Sequence, residues 1–484
     1  AHDGEIAGRF DEKGLTANGR LILGRTPVEV DYALGFQASN PVRERIRASG
    51  TVPAGELAAF GFDLRPHLDG SLPLALEFVV RRNAPAELRL DAGLEQARLV
   101  VAELGWEKPS GVPGSARLDL LLDRGRIQRI RDLRIAAGDA DAQGRIVFAA
   151  DGRTIQTVEL DRLRFARNDL RVAATRERDG GWRLRLRGAV ADLSTLETEE
   201  GGAKPGETPD RPRLAIDAEL GKLWLAEDRA VSDVVFSGER AARWKRARLN
   251  ARGTDRNGRT DPFEVDYRTD AKDVGSLVAR TANAGAMLAS FGITDKVVGG
   301  TLEARGVTDE AQASRPLALD IRMRDYRLVD EPAVARFLSA ALLTGLLDLL
   351  RGEGIGFDRL EATAFLGDGD LVIRDLRTSG PSLGIQARGR IDMDGDSVDV
   401  EGTIVPANAL NSLFGRIPLI GEVLFGPGLF AARYSVRGPR DKPEITINPL
   451  SALAPGLLRN IFGIFEGGSP APPAASPAAR PPAR

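Results

Sequence analysis

Apolar and charged residues alternate one for one through run after run of this chain. The stretches Val28-Glu29-Val30-Asp31-Tyr32, Trp182-Arg183-Leu184-Arg185-Leu186-Arg187, 213–220 and Ser397-Val398-Asp399-Val400-Glu401 each set apolar groups on one side of an extended backbone and charges on the other. The pattern predicts half-buried antiparallel strands. Glycine follows or interrupts these runs at Gly50, Gly138, Gly188, Gly238, Gly306, Gly389, Gly402 and Gly438, where it marks bends and bulges. Asp151-Gly152, Asp179-Gly180, Asn257-Gly258 and Asp394-Gly395 supply the positive φ of hairpin turns.

Strands that alternate so cleanly need something over their apolar face. A sandwich, a closed barrel or a curled groove would each provide it. The chain has 484 residues but only 5% aromatics, so that face is lined by aliphatic side chains. Roughly 25 strands at ~4.8 Å spacing would make one sheet on the order of 120 Å long, and a single barrel of that size would leave a wide lumen. The predicted fold is therefore mainly β: an elongated, twisted antiparallel sheet curled into an apolar groove, with short helices inserted mainly in the C-terminal third. The net charge is −2 although 28% of residues are charged, and the two signs are interspersed. That balance speaks against nucleic acid as a partner and against a polybasic membrane clamp. Absence of cysteine excludes a disulfide framework and thiolate chemistry, and suits an oxidising compartment.

Three apolar segments, 334–350, 409–430 and 450–465, interrupt the late strands. The first is bracketed by Pro332 and Gly352 as helix start and stop signals. Only eleven residues separate its charged bounds Arg336 and Asp348, and a bilayer span needs about 20. It packs into protein or lies at an interface, and a buried core helix is the plainer reading. Shorter helices are expected at 53–60 and 274–291. The polar, Gly- and Pro-rich stretch 197–212 reads as a surface loop or boundary, and 467–484 as a disordered Pro/Ala tail. The expected organisation is a β-rich groove segment at 1–196, the boundary, a β-rich region with apolar helices at 213–466, and the tail. An opening at Ala1, without a charged and apolar leader, is the expectation for a fragment.

Catalytic chemistry finds little to use. His2 and His67 are the only histidines, so no His-centred triad, zinc cluster or HExxH helix can be built, and His67 reads as a turn residue. Carboxylates sit at outward strand positions, with no two singled out as a glycosidase pair. The acidic run 392–399 has a calcium loop's density of oxygens but not its spacing, and a hairpin turn fits better. Gly352-Glu353-Gly354-Ile355-Gly356 and Gly426-Pro427-Gly428 lack the Lys-Ser/Thr of a phosphate cradle and read as hinges. No catalytic residue, metal ligand or cofactor is assigned.

Motifs of the C-terminal part run in a particular order: Gly299-Gly300-Thr301-Leu302, then 328–338 leading to Gly354-Ile355-Gly356-Phe357-Asp358, then Gly380-Pro381-Ser382-Leu383-Gly384-Ile385. Ile404-Val405-Pro406-Ala407-Asn408 with Asn411, Ile417-Pro418-Leu419-Ile420-Gly421, and 448–459 follow. Over 273–465 this resembles the AsmA-like C-terminal region of YhdP/TamB-type envelope proteins, relatives of the bridge-like lipid transfer proteins. The upstream half resembles them only in its style of strands. The resemblance implies a periplasmic β-rich body of a Gram-negative envelope, anchored in the inner membrane by an N-terminal helix that this chain does not carry. It also implies phospholipid transport between the inner and outer membranes, with acyl chains in an apolar β-groove, and no catalytic residues.

Inward aliphatic side chains at Leu184, Leu186, Leu214, Ile216, Val398 and Val400 are the lipid-groove candidates. Candidates for contact with a membrane surface or an outer-membrane protein at the C-terminal end are Leu346, Leu347, Leu349, Leu350, Phe414, Ile417, Leu419, Leu424, Phe425, Leu457, Ile461, Phe462 and Phe465. They serve otherwise to plug the groove. The alternative is an outer-membrane assembly or scaffold factor that adds its open strand edges to β-rich clients. An enzyme acting on an envelope glycan or lipid would need a focused polar pocket.

Overall fold

A computed structural model describes residues 2–23, 26–60, 64–195, 212–309, 317–340, 344–367, 369–393, 395–406, 432–440 and 442–448. Among them, 27 strands form a twisted, mixed sheet that is not closed. The chain divides into two compact units. The first comprises Ala1–Thr254, Pro262–Lys272 and Ser290–Gly292, and the second Asp255–Asp261, Asp273–Ala289 and Ile293–Arg484. The stretch 197–212, of which 197–211 lie outside the described residues, connects two strands of the first unit.

The first unit opens as an antiparallel meander of β1 (His2–Asp11), β2 (Gly14–Leu23), β3 (Thr26–Gly35), β4 (Val42–Pro53), β5 (Leu68–Arg81) and β6 (Ala86–Gly93). The short β7 (Ala97–Val101) and β8 (Trp106–Lys108) then leave the main sheet and pair beside the start of β5. The meander resumes when β9 (Gly114–Asp123) pairs with β6. It continues through β10 (Arg126–Ala137), β11 (Ala140–Phe148), β12 (Ile155–Phe165), β13 (Asn168–Arg176) and β14 (Trp182–Asp192). Two-residue turns close the β9–β10, β10–β11 and β12–β13 hairpins. Between β9 and β10 both Arg124 and Gly125 adopt positive φ, 49° and 76°, which matches the right-handed twist of the flanking strands. Gly152, Gly180 and Gly258 carry the positive φ predicted for them.

The antiparallel expectation fails once in the first unit. β15 (Leu214–Trp224) pairs with β14 in parallel, so the link between them runs back the length of a strand, which a tight turn cannot do. β16 (Ala230–Arg240) and β17 (Trp244–Thr254) then resume antiparallel pairing, and β18 (Thr260–Thr269) follows in the chain.

The stretch 53–60 contains a helix of the 3-10 type, Ala54–Phe60, which packs on β4 and β5. Its Ala54 and Leu57 join Leu68, Leu72, Ala92, Leu94, Ala97, Leu99, Trp106 and Ala137 in a cluster that covers one end of the apolar face. Trp106 donates its indole N–H to Asp139 Oδ1 at 2.9 Å, holding β8 against the β10–β11 turn.

The second unit is an antiparallel meander of β19 (Val274–Thr281), β20 (Val297–Asp309), β21 (Leu317–Leu328), β22 (Ile355–Gly367), β23 (Asp370–Ser379), β24 (Leu383–Asp392), β25 (Ser397–Pro406), β26 (Ala432–Pro439) and β27 (Glu444–Asn448). The helix expected at 274–291 is corrected. Residues Val274–Thr281 alternate and pair with β20, and only α1 (Ala284–Ser290) is helical, with Asn283 Oδ1 accepting the Ala286 N–H at 3.1 Å. The segment 334–350 holds two short helices, α2 (Pro332–Ala340) and α3 (Thr344–Arg351). α2 packs on β26 and β27 and α3 on β22. Val334, Leu338 and Leu350 are buried, and Arg336 Nη1 donates to the Ile445 carbonyl at 2.8 Å, tying α2 to β27. The acidic run is a hairpin turn between β24 and β25, but Asp396, not Gly395, carries the positive φ (51°).

Candidate functional site

Directly opposed residues of neighbouring strands share a face, so the register decides whether the apolar side chains form isolated patches or a continuous surface. They are continuous. Leu76 of β5 faces Leu90, which faces Leu118, which faces Leu133. From β10 the lane passes through Gly144 to Leu160, Val172, Leu186 and Ala218, and ends at Phe236 and Leu249. Toward the other end it runs through Ala48 and Val30 to Gly19 and Ile6. One apolar lane thus crosses fifteen strands of the first unit without a polar residue, roughly 65 Å at ~4.8 Å per strand.

A second lane lies beside it. Phe78, Leu88, Leu120, Ile130, Ile146 and Val158 lead to Ala174, Leu184 and Ile216. Leu184 and Ile216 are therefore direct neighbours, and Leu186 sits one lane over. Leu214 lies at the strand end, opposite Trp182 and Arg240. In the second unit Val400 belongs to a lane of Leu319, Ala364, Ile373, Gly389, Val436 and Ile445, and Val398 sits between Ile391 and Gly438. All six groove candidates occupy apolar faces, four in the first unit and two in the second.

Most of the lane is neither buried nor free. Leu76, Leu90, Leu118, Leu133, Leu160, Val172 and Leu186 are all half-buried, shielded by one another more than by a second layer. Sequence reasoning did not single out the residues of β5 to β13. Their alternation was visible, as in Leu88-Arg89-Leu90-Asp91, but their alignment depends on β6 pairing with β9.

Glycines sit in the lanes where backbones approach closely. A Cβ on Gly402 would lie 2.7 Å from the Tyr434 ring and against the Gln386 carbonyl.

The opposite face carries cross-strand ion pairs: Arg47 with Glu77 (2.9 Å), Arg89 with Asp119 (2.9 Å), Arg117 with Asp91 (2.5 Å), Arg187 with Glu219 (3.1 Å) and Arg388 with Glu401 (2.5 Å). The hydrogen bond to Asp119 holds the Arg89 guanidinium above its ordinary pKa. These pairs are exposed, so they keep the face wetted more than they stabilise the fold. Where this face carries small side chains, at Ser49, Thr51, Ala75, Gly93, Ser115 and Ala136, it forms a cleft of about 810 Å³. The two carboxylates lining it are ion-paired, Asp91 to Arg117 and Asp141 to Arg162 (3.3 Å).

Among the contact candidates, Leu350 is fully buried and serves the core. Leu346 and Leu347 are half-buried, and Leu349 is exposed at 44%. Phe414, Ile417, Leu419, Leu424, Phe425, Leu457, Ile461, Phe462 and Phe465 lie outside the described residues. Antiparallel pairing places the end of β21, the start of β22, the end of β25, the start of β26 and the end of β27 at one edge of the second unit. All three apolar segments attach there. His67 lies in a turn with Nδ1 3.1 Å from the Val100 carbonyl. No protein-family model, no curated protein and no solved structure matches this chain.

Proposed function

We propose that this chain is a non-enzymatic carrier of phospholipid between the inner and outer membranes of a Gram-negative envelope, its acyl chains lying on the apolar face of the sheet. The observation that carries the reading is the half-exposed apolar lane crossing fifteen strands of the first unit. An acyl chain laid on such a surface gains about 0.8 kcal/mol per buried CH₂. The lining is apolar throughout, with no polar residue to create a deep well, so a chain can slide from strand to strand. Headgroups stay in water at the strand ends, and the ion-paired face keeps the protein dissolved. The resemblance to AsmA-like envelope proteins supports a periplasmic location with an inner-membrane anchor. The common edge from which the three apolar segments depart supports contact with a membrane or an outer-membrane protein there.

Mass spectrometry of lipid extracted from residues 1–484, purified from an envelope fraction without detergent, tests the reading. Near-stoichiometric phospholipid is the expected result. A folded, lipid-free protein that instead captures unfolded outer-membrane β-proteins would replace the carrier with the assembly factor.

A further inference from the structure

In the first unit the second apolar lane runs through Ala174 of β13, Leu184 of β14 and Ile216 of β15 to Gly238 of β16. Two residues further along each strand, on the same face, stand Arg176, Trp182, Leu214 and Arg240. They oppose one another in that order, and Trp244 of β17 follows opposite Arg240. The Trp244 ring turns back over the lane: a Cβ on Gly238 would lie 2.7 Å from it, and it meets Phe236 edge-on at 6.0 Å. The rim of the apolar face here is thus two guanidinium groups and two indoles, with no carboxylate.

Those guanidinium groups lack a counter-ion. Neither Arg176 nor Arg240 has an ion-pair partner among the described residues, and Arg240 Nε is buried without a hydrogen-bond acceptor there. The adjoining carboxylates, Glu177 and Glu239, fall by alternation on the other face, where Arg183 holds Glu177 at 2.7 Å and Arg246 holds Glu239 at 2.8 Å. Arg178 and Arg243, in the turns beyond the row, have no ion-pair partner among the described residues either.

The two ends of the strands differ in charge. Connections at the end that carries this row, 81–86, 123–126, 148–155, 176–182 and 240–244, hold nine arginines against four carboxylates. At the other end 137–140, 165–168 and 224–230 hold two arginines against three carboxylates. Cations at that end are also engaged, Arg167 and Lys222 lying 4.6 and 4.1 Å over the Trp224 ring.

We propose that Arg176 and Arg240 bind the headgroup phosphates of the carried lipids, so that heads line the arginine-rich ends of the strands and tails run from there onto the apolar lanes. The inference rests on the carrier reading and adds which strand ends take the head, and by what contact. A guanidinium fork matches phosphate oxygens in pairs, and an indole sets an apolar body beside a polar tip, as the junction of head and tail requires. Arg176 and Arg240 stand three strands apart, roughly 14 Å at ~4.8 Å per strand, so each serves its own phosphate.

The test is a competition. Residues 1–484 are incubated with vesicles of phosphatidylglycerol containing diacylglycerol of the same acyl chains, and the lipid retained after the vesicles are removed is quantified by mass spectrometry. The parent should retain phosphatidylglycerol over diacylglycerol about tenfold or more beyond the vesicle ratio. Arg176→Gln with Arg240→Gln should return that ratio to the vesicle's, whereas Arg185→Gln, on the charged face, should leave it unchanged. A ratio does not depend on how much protein folds, and Arg176→Gln alone, at an exposed site, should already lower it severalfold. Inorganic phosphate in excess should not alter it, having no tail to hold the lane; loss of the preference to phosphate alone makes the row a free-anion site and overturns the proposal. Both lipids retained without preference, or a preference that survives the double substitution, overturns the headgroup contact and leaves the carrier reading standing. A parent that retains neither lipid removes the carrier reading and this inference with it.

Discussion

Placing a carboxylate in the middle of the apolar lane separates carrying from folding. Leu186 lies between Val172 and Ala218 and is half-buried. In the empty protein an aspartate there still reaches water, so Leu186→Asp loses only part of a leucine's burial, about 1 kcal/mol. An acyl chain crossing β14 must bury that carboxyl, which it can do by leaving it protonated. From a reference pKa of about 3.9, neutralisation at pH 7.5 costs about 4.9 kcal/mol, a factor of roughly 4,000 in occupancy at that point. At pH 5 the cost falls to about 1.5 kcal/mol, so passage should recover. Ala173→Asp is the control, because its carboxylate would stand opposite Arg185 on the charged face. The assay is transfer of a fluorescent phospholipid between vesicles at pH 7.5 and pH 5, with urea denaturation to verify folding. If folded Leu186→Asp transfers lipid as fast as Ala173→Asp at pH 7.5, the lane is not the path.

Lys108 is fully buried and donates to the Ala97 and Pro109 carbonyls at 2.8 and 3.1 Å, and burial pulls its pKa below the ordinary lysine value. The unfolded chain then binds the extra proton, so stability should rise with pH between the lowered folded pKa and about 10.4. Urea midpoints measured across that window should lose this rise in Lys108→Met. Tyr326 OH lies 2.5 Å from Thr378 Oγ1, and Thr378 also donates to the Arg359 carbonyl at 2.9 Å. Tyr326→Phe therefore leaves no orphaned hydroxyl and should cost about 1 kcal/mol by chemical denaturation; a loss above about 3 kcal/mol would contradict this account. Gly402→Ala forces a methyl against the Gln386 carbonyl and the Tyr434 ring and should destabilise by about 1–3 kcal/mol. Gly345→Ala, an exposed helical site with nothing within 4 Å of the added methyl, should stabilise by about 0.5–1 kcal/mol, and equal melting shifts for the two would refute the crowding argument.

Alternation is a local property, and what it determined is correspondingly local. A period of two assigns each residue to a face whatever its neighbouring strand, so the strands, their apolar sides and the placement of Leu184, Leu186, Ile216, Val398 and Val400 on those sides were legible in the sequence. Most of the glycine turns were legible too, because positive φ is a property of one residue. Partnership between strands is non-local, and only the tertiary structure decided it. Nothing near β6 announces that its partner is β9, with β7 and β8 set aside to cap the face, or that β14 and β15 run parallel across a long polar link. The same holds for burial. Lys108 reads as a surface residue until β7 and the β10–β11 turn close around it, and the 274–291 stretch reads as a helix until β20 offers half of it a ladder. The sequence determined which side of each strand is apolar, and the register, set by contacts between residues far apart in the chain, decided that those sides join into one surface.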